Sequence, residues 1–410
     1  MSTARSLPGI EDPESSGCEA LQAPIFCENM HHGAYFNFSE NLEGQIMKFP
    51  KFFIVPALAL TFSFALVACN NSKEVVSENG DSTKDLNVSE EANQTSDKSK
   101  EAVSAPKALS SFSSEQQGAV KILRETEVGN GITVVNSGSG EKKVYSYTIP
   151  ENSTANAEMK VKMGSSNVIN GQQVPSPPIP AIVTPMEFKT GKNEQGKVKV
   201  EATYLQARIE EDASVPDFLK EATLNQMNRL KDITMSWNVN PQGSISNVSF
   251  PDNLPPDLKS LFEQTQRSIG NMFVGLPTEA IGKNSSWILG IDSFNIGGIE
   301  QKLRILYQLN SIEGETLSLD MTTRSLIEDQ EFDLPGSEAK ASAKAAENFT
   351  FGKMKVSLSS LIPNSEVSGD SRIVIEIPGS GQTIEATTSI EMEFKELPAE
   401  AVMEKKAVNS

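Results

Sequence analysis

The residues of this chain with the clearest capacity for chemistry surround Cys69. Two lysines, Lys48 and Lys51, stand at the start of an apolar run that extends from Phe52 to Val67. Ala68, a small residue, precedes the cysteine, and polar residues follow it. A positive segment, a short apolar run and a small residue before a cleavage point are the features of a secretory signal peptide. The thiol of Cys69 therefore lies where cleavage would create a new N-terminus.

The four residues Leu66, Val67, Ala68 and Cys69 resemble the lipobox of bacterial lipoproteins. The resemblance implies that a diacylglycerol is attached to the thiol and that the chain is cut before the cysteine. It also implies that the new N-terminus is acylated, with palmitate as an expected acyl group. Several acyl chains, at about 0.8 kcal/mol per buried methylene, form a stable membrane anchor where one chain would be marginal. We expect residues 47–68 to be the signal peptide and Cys69 to begin the mature protein.

The alternative to a cleaved signal peptide is a buried apolar helix or a short anchor that is never cleaved. A membrane-spanning helix needs about 20 apolar residues. The run from Phe52 to Val67 has 16 residues and is interrupted by Pro56, which favours the signal peptide. Residues 1–46 precede this segment, although signal peptides begin close to the start of a chain. We interpret them as an upstream extension from a misassigned start codon, with a genuine cytoplasmic extension as the alternative.

Composition excludes several kinds of active site from the mature chain. Both histidines, His31 and His32, precede Cys69, and so do two of the three cysteines. No zinc site of Cys and His, no histidine-based triad and no disulfide can then form. From Cys69 onward 33 basic and 47 acidic residues remain, because 3 and 7 of the chain's 36 and 54 lie before it. An acidic chain without basic clusters disfavours a nucleic-acid partner.

We therefore expect no enzymatic activity, no cofactor and no metal. The acidic run Glu210-Glu211-Asp212 could attract a cation, but a solvated strand end is the preferred interpretation. The expected partners are the membrane, through the lipid anchor, and a lipid or other apolar ligand, while protein partners are open.

Composition and patterning divide the mature chain into four parts. Residues 69–118 are polar and charged with almost no aromatic side chains, which predicts a disordered acidic tether behind the lipidated cysteine. Residues 119–141 form a transition segment, and a short helix near residues 116–127 is compatible with the pattern. Residues 142–398 are predicted to form a β-rich domain, and residues 399–410 a flexible tail.

Long segments of the β-rich domain alternate apolar and polar residues, the pattern of antiparallel strands with one buried face. The inward positions are expected to be Val198 to Tyr204, Leu303 to Leu309, Leu317 to Met321, Met354 to Leu358, Ile373 to Ile377 and Ile384 to Phe394, taken every second residue. Because several strands exceed the usual length, we predict an α+β, mainly antiparallel fold curved into a half-barrel or sandwich. Trp237 and Trp287 are expected to be core residues.

Two helices are predicted to cover this sheet. One follows Pro216 and would form a lid through five apolar residues at helical spacing, which are Phe218, Leu219, Ala222, Met227 and Leu230. The other opens at Pro255 and extends to Met272.

The segment from Trp237 to Trp287 resembles uncharacterised secreted or lipid-anchored bacterial domains. More loosely, the pattern is similar to periplasmic lipoprotein carriers, in which a curved half-barrel holds acyl chains beneath covering helices. The expected function is that of a membrane-anchored extracytoplasmic binding module for a lipid or other apolar ligand. A structural or protein-interaction lipoprotein of the cell envelope is the alternative, and a metal-dependent envelope hydrolase is the second. The lipobox implies an extracytoplasmic position, and Asn70, in place of an inner-membrane retention Asp, favours the outer membrane of a two-membrane cell.

Replacing Cys69 with Ser should abolish lipidation and leave an uncleaved precursor, because the acyl acceptor is lost. Metabolic labelling with a fatty-acid analogue measures this directly. The variant Ser72→Ala, in the polar segment just after the cysteine, is the control and should keep its label. Equal labelling of Cys69→Ser and the wild type would contradict the lipobox interpretation.

Overall fold

The computed structural model describes residues 112–255, 258–259, 274–296, 298–333, 340–360 and 362–398. The predicted signal peptide, Cys69, the tail and most of the helix predicted from Pro255 to Met272 lie outside the described residues.

Two helices are described, α1 (Ser114–Glu125) and α2 (Asp217–Asn228). The strands are β1 (Gly131–Asn136), β2 (Ser139–Lys143), β3 (Thr154–Ile169), β4 (Gln172–Val174), β5 (Ile182–Glu194), β6 (Lys197–Tyr204), β7 (Arg208–Ile209), β8 (Thr234–Val239), β9 (Ile245–Ser249), β10 (Ile281–Lys283), β11 (Ser286–Ile296), β12 (Ile299–Glu313), β13 (Thr316–Ile327), β14 (Gln330–Asp333), β15 (Lys340–Ala343), β16 (Ala346–Ser357), β17 (Asn364–Ile377) and β18 (Gln382–Leu397).

Sixteen of these strands form one antiparallel sheet, and β2 and β10 form a separate pair. The order across the large sheet is β1-β11-β12-β13-β16-β17-β18-β3-β5-β6-β8-β9, with β4, β7, β14 and β15 attached at its sides. Strands β1 and β9 stand at opposite ends of this order, and the sheet is not closed into a barrel. The predicted α+β, mainly antiparallel fold is thus confirmed.

Three short turns join neighbouring antiparallel strands into hairpins. The turn at residues 240–243 joins β8 to β9, Gly314 lies in the turn between β12 and β13, and residues 378–381 join β17 to β18. The first of these turns also anchors two other segments. The carbonyl of Pro241 accepts from the Tyr147 N–H at 2.7 Å, and that of Gln242 accepts from the Leu276 N–H at 2.9 Å.

One face of the sheet, called the core face, carries the main hydrophobic cluster. The alternation predicted for β6, β12, β13 and β16 places its apolar residues there, and all of them are buried. Trp237 and Trp287 are 1% and 0% exposed. The Trp287 indole donates to the Gly275 carbonyl at 2.8 Å and stacks on Tyr307 with 5.6 Å between ring centroids. Both tryptophans are core residues, as predicted.

Helix α1 packs on the opposite face, called the outer face. Ser113 caps the helix in a reciprocal capping box with Gln116, which satisfies two backbone donors of the first turn. Ala119 and Leu123 bury against Ile288 and Leu306 of the sheet. The β-rich domain therefore takes in residues that the sequence analysis assigned to the tether and the transition segment.

A charged network joins α1 to the sheet. Glu347 accepts from Arg324 Nε at 2.6 Å and from Arg124 Nε at 3.0 Å, while Arg324 also donates to the Leu123 carbonyl at 3.0 Å. Burial opposes ionisation of Glu347, but the two arginines outweigh it and hold the pKa of the carboxyl below its ordinary value.

Replacing Glu347 with Gln should lower the free energy of unfolding by about 1–3 kcal/mol at pH 7, the usual scale for hydrogen bonds to a charged group. Because the pKa of Glu347 is lower in the folded than in the unfolded state, its ionised carboxylate stabilises the fold above the unfolded-state pKa of about 4.3. This stabilisation is lost as the pH falls through the folded-state pKa. The difference between wild type and variant should therefore shrink below about pH 4. Urea denaturation at several pH values measures the free energy of unfolding of both proteins and hence this difference.

The matched control is Glu366→Gln, since Glu366 is exposed on the same face and should shift stability by no more than about 0.5 kcal/mol. A Glu347 variant as stable as the wild type at pH 7 would show that the network does not hold α1.

Candidate functional site

The core face changes character along its strands. A row of uncharged polar residues, called the polar row, crosses six adjacent strands of this face. Its members, in strand order from β12 to β3, are Gln301, Ser325, Asn348, Ser371, Thr388 and Ser165. Five of its members lie at one level, and Gln301 of β12 is offset by two residues, because Leu303 is the residue opposite Ser325. On one side of the row lies the main hydrophobic cluster, and on the other a second cluster that includes Ile299, Ile327 and Phe332. The polar row thus divides two apolar regions of the same face.

The end of the polar row at β12, β13 and β16 is deeply buried. Gln301 and Ser325 are each 3% exposed and are hydrogen-bonded to each other. Asn348 is 6% exposed, and its Oδ1 accepts from the Arg372 backbone N–H at 2.7 Å. Its Nδ2 has no hydrogen-bond partner among the described residues, and neither has the hydroxyl of the neighbouring Thr323. Such buried donors are uncommon because desolvating them without a partner is costly.

The other end of the polar row is half-buried, and an apolar patch lies beyond it. Ser371, Thr388 and Ser165 are all partly exposed. The next inward-facing positions carry Ile373, Ala386 and Asn167 on β17, β18 and β3. One inward position further, partly exposed isoleucines pair across the three strands, with Ile375 opposite Ile384 and Ile384 opposite Ile169. The isoleucine patch consists of Ile169, Ile373, Ile375, Ile377 and Ile384. The sequence analysis placed the isoleucines of β17 and β18 on this face correctly, but they are half-buried.

Two glycines on the core face allow β16 and β17 to lie close together. A Cβ on Gly352 would lie 2.7 Å from the Glu366 carbonyl oxygen, and one on Gly369 would lie 2.7 Å from the Phe349 carbonyl oxygen. Both positions point to the core face, so only glycine allows β16 and β17 to approach this closely.

A second concave feature lies on the outer face. It is a groove of about 730 Å³ that crosses β13, β16, β17, β18 and β3 between α1 and the segment 210–212. Eight carboxylates and three lysines line this outer groove. Among them are Asp320, Lys353 and Glu366, which occupy adjacent cross-strand positions. The outer groove is therefore acidic, in contrast to the uncharged polar row.

The acidic run predicted as a solvated strand end lines one end of this groove. Glu210 pairs with Lys160 at 2.7 Å, an interaction that raises the pKa of the lysine. Asp212 accepts from the hydroxyl and backbone N–H of Ser214, which lowers the pKa of the carboxyl. Within the described part of the chain, no group of three or more His, Cys, Asp or Glu is arranged to hold a metal ion.

The predicted lid helix exists as α2, but its buried side was assigned wrongly at two positions. Met227 is buried, Leu230 just beyond the helix is buried, and Leu219 is half-buried. Phe218 is 68% exposed and Ala222 is also exposed. The helix is rotated so that the line through Leu224 and Met227 faces the sheet, and residues 218 and 222 lie on the solvent side.

The predicted lipidation site falls outside what the structure describes. Leu66, Val67, Ala68 and Cys69 lie in the undescribed N-terminal part, so the lipobox stays a prediction from sequence. Neither helix in the described part combines the length and apolarity that crossing a bilayer would require.

The polar row and the outer groove were both missed at the sequence level. The signal for the row is that the inward positions of several strands change from apolar to Ser, Thr, Asn or Gln within two residues. That signal becomes visible only once the strand register is known, because the register decides which positions align.

Comparison with known proteins finds no matching protein-family model and no significantly similar curated protein.

Proposed function

We propose that this protein is a lipid-anchored extracytoplasmic binding protein of the bacterial envelope, whose β-rich domain holds an apolar ligand on the isoleucine patch without catalysing a reaction. The anchoring half of the proposal rests on the signal-peptide pattern and Cys69. The binding half rests on one observation, which is that the core face remains partly exposed beyond the polar row.

The isoleucine patch is unusual because strand residues of this type pointing to a core face are normally buried. Ile384 lies at its centre, between Ile375 and Ile169 on the neighbouring strands, and all three are half-buried. Exposed apolar surface of this kind commonly marks a site of ligand, membrane or protein contact.

The size of the patch favours a small ligand. With a rise of about 3.3 Å per residue and a strand spacing of about 4.8 Å, it extends roughly 13 Å along the strands and roughly 10 Å across them. Stable protein interfaces bury about 800 Å² on each partner, several times this area. An acyl chain of moderate length matches the patch, and the membrane that holds the anchor supplies such chains.

The outer groove supports a second candidate function, contact with a protein partner that carries basic residues. Its carboxylates outnumber its lysines, and complementary charge increases the rate at which a cationic partner associates. This alternative corresponds to an interaction lipoprotein without a lipid ligand.

Photo-crosslinking in native membranes tests the binding half of the proposal. A benzophenone amino acid at position 384 of the full-length protein should form adducts with lipid, since this position lies in the isoleucine patch. Position 383 is the matched control because Thr383 is also half-buried but lies on the opposite face. Lipid adducts are identified by mass spectrometry of the isolated protein.

The proposal predicts lipid adducts from position 384 well above those from position 383. Equal yields at both positions, or no lipid at position 384, would contradict it. Protein adducts confined to the outer groove, obtained with the same amino acid at position 366, would support the second candidate instead.

A further inference from the structure

We infer that the polar row is a recognition site for a neutral carbonyl group, so that the ligand is an acyl ester or acyl amide. The carbonyl oxygen of this ligand accepts hydrogen bonds from Asn348 and Thr323, and the acyl chain of the ligand lies on the isoleucine patch. This inference rests on the proposed function, because it names the ligand class for the same face.

Two buried hydrogen-bond donors of the core face lack partners among the described residues. Asn348 uses its Oδ1 to accept from the Arg372 backbone at 2.7 Å, so its amide nitrogen is the end that stays free to donate. The Thr323 hydroxyl is also without a partner among the described residues. Asn348 is 6% exposed and Thr323 is 5% exposed. Two buried donors on adjacent strands require an acceptor, and a carbonyl oxygen can accept two hydrogen bonds.

Among the described residues, no charged side chain points to the core face at this level, which selects a neutral acceptor. The charged residues of the same strand segments, Arg324, Glu347 and Arg372, stand at positions of the opposite parity and therefore point to the outer face. A carboxylate placed against the polar row would be buried without a counter-ion, which is unfavourable. An ester or amide carbonyl satisfies the same donors without that penalty.

The polar row also connects the donors to the patch. The pairing of Phe349 with Asp370 places Ser371 next to Asn348, and Ser371 pairs with Thr388. The distance across the sheet from Asn348 on β16 to β18 is therefore two strand spacings, roughly 10 Å. A chain that starts at the buried donors reaches Ile373 and Ile384 within the length of a myristoyl group.

A purely structural role for these residues is the competing explanation, and the two explanations differ for Thr323. If the hydroxyl only terminates the apolar cluster, Thr323→Val removes an unpaired buried group and changes nothing in ligand binding. If the hydroxyl recognises a carbonyl, the same variant weakens binding of ligands that carry one. In both cases the fold should be at least as stable as in the wild type.

The experiment compares two probes that differ only in the carbonyl, 1-monomyristoylglycerol and its ether analogue 1-O-tetradecylglycerol. Their dissociation constants are measured with radiolabelled probe on the mature lipoprotein in nanodiscs, and binding to empty nanodiscs is subtracted. The wild type should bind the ester about 30-fold more tightly than the ether, the effect of about two hydrogen bonds.

Thr323→Val and Asn348→Asp should each remove most of this preference, and the aspartate variant keeps the oxygen that accepts from Arg372. Thr322→Val is the matched control, because Thr322 is buried to a similar degree but points to the outer face, and it should keep the full preference. Thr323→Val decides the question if the aspartate variant does not fold.

Equal binding of ester and ether to the wild type would overturn the carbonyl inference while leaving an apolar-ligand site in place. An undiminished preference in Thr323→Val would also overturn it. Failure of both probes to bind the wild type would instead remove the proposed function itself.

Discussion

The structure depends on how an open sheet covers its apolar face. Alternation places half of the residues of every strand on the core face, and without closure into a barrel the sheet leaves two free ends. The sheet buries most of this face against itself and against the segments around Tyr147 and Leu276. At the far ends of β17, β18 and β3 this coverage stops, and isoleucines that would be core residues in a closed barrel are left partly exposed.

The polar row lies at this boundary and provides it with uncharged hydrogen-bonding side chains. Side chains such as Ser325 and Asn348 interrupt an otherwise apolar face, and they do so across six neighbouring strands. A boundary of uncharged donors between a packed cluster and a partly exposed apolar patch is suited to an amphiphile with a neutral head. The acidic outer groove lies on the other face and has the opposite character, so the two surfaces of one sheet would serve different partners.

Much of the fold could be predicted from sequence because it depends on local rules. The alternation from Leu303 to Leu309 and the turn at Gly314 require only strand periodicity and turn chemistry. The buried side of α2 was harder, since a weakly amphipathic helix leaves its rotation to tertiary packing, and Phe218 consequently faces solvent. The position of Leu306 on the outer face, beneath α1, likewise depends on a long-range contact that no local pattern contains.

The candidate site was beyond the reach of sequence for a related reason. Each residue of the polar row is ordinary in its own strand, and Ser371 or Thr388 alone would indicate only a polar position. Their alignment depends on the register of six strands and on the open topology, which together determine where burial ends. The predicted anchor at Cys69 is the reverse case, because its signal is local in sequence and lies outside the described residues.

The central claim is that the core face is closed on the side of the main hydrophobic cluster and that, beyond the polar row, it is open at β17, β18 and β3. Cysteine substitutions at Ile305 and Ile384 test it in the full-length protein, with maleimide labelling read at each position by peptide mass spectrometry. Ile305 is 0% exposed and Ile384 is half-buried. The account predicts rapid labelling at position 384, protection there when an acyl ligand is added, and labelling at position 305 only after denaturation. Protection of position 384 in the ligand-free protein, or ready labelling at position 305, would contradict it.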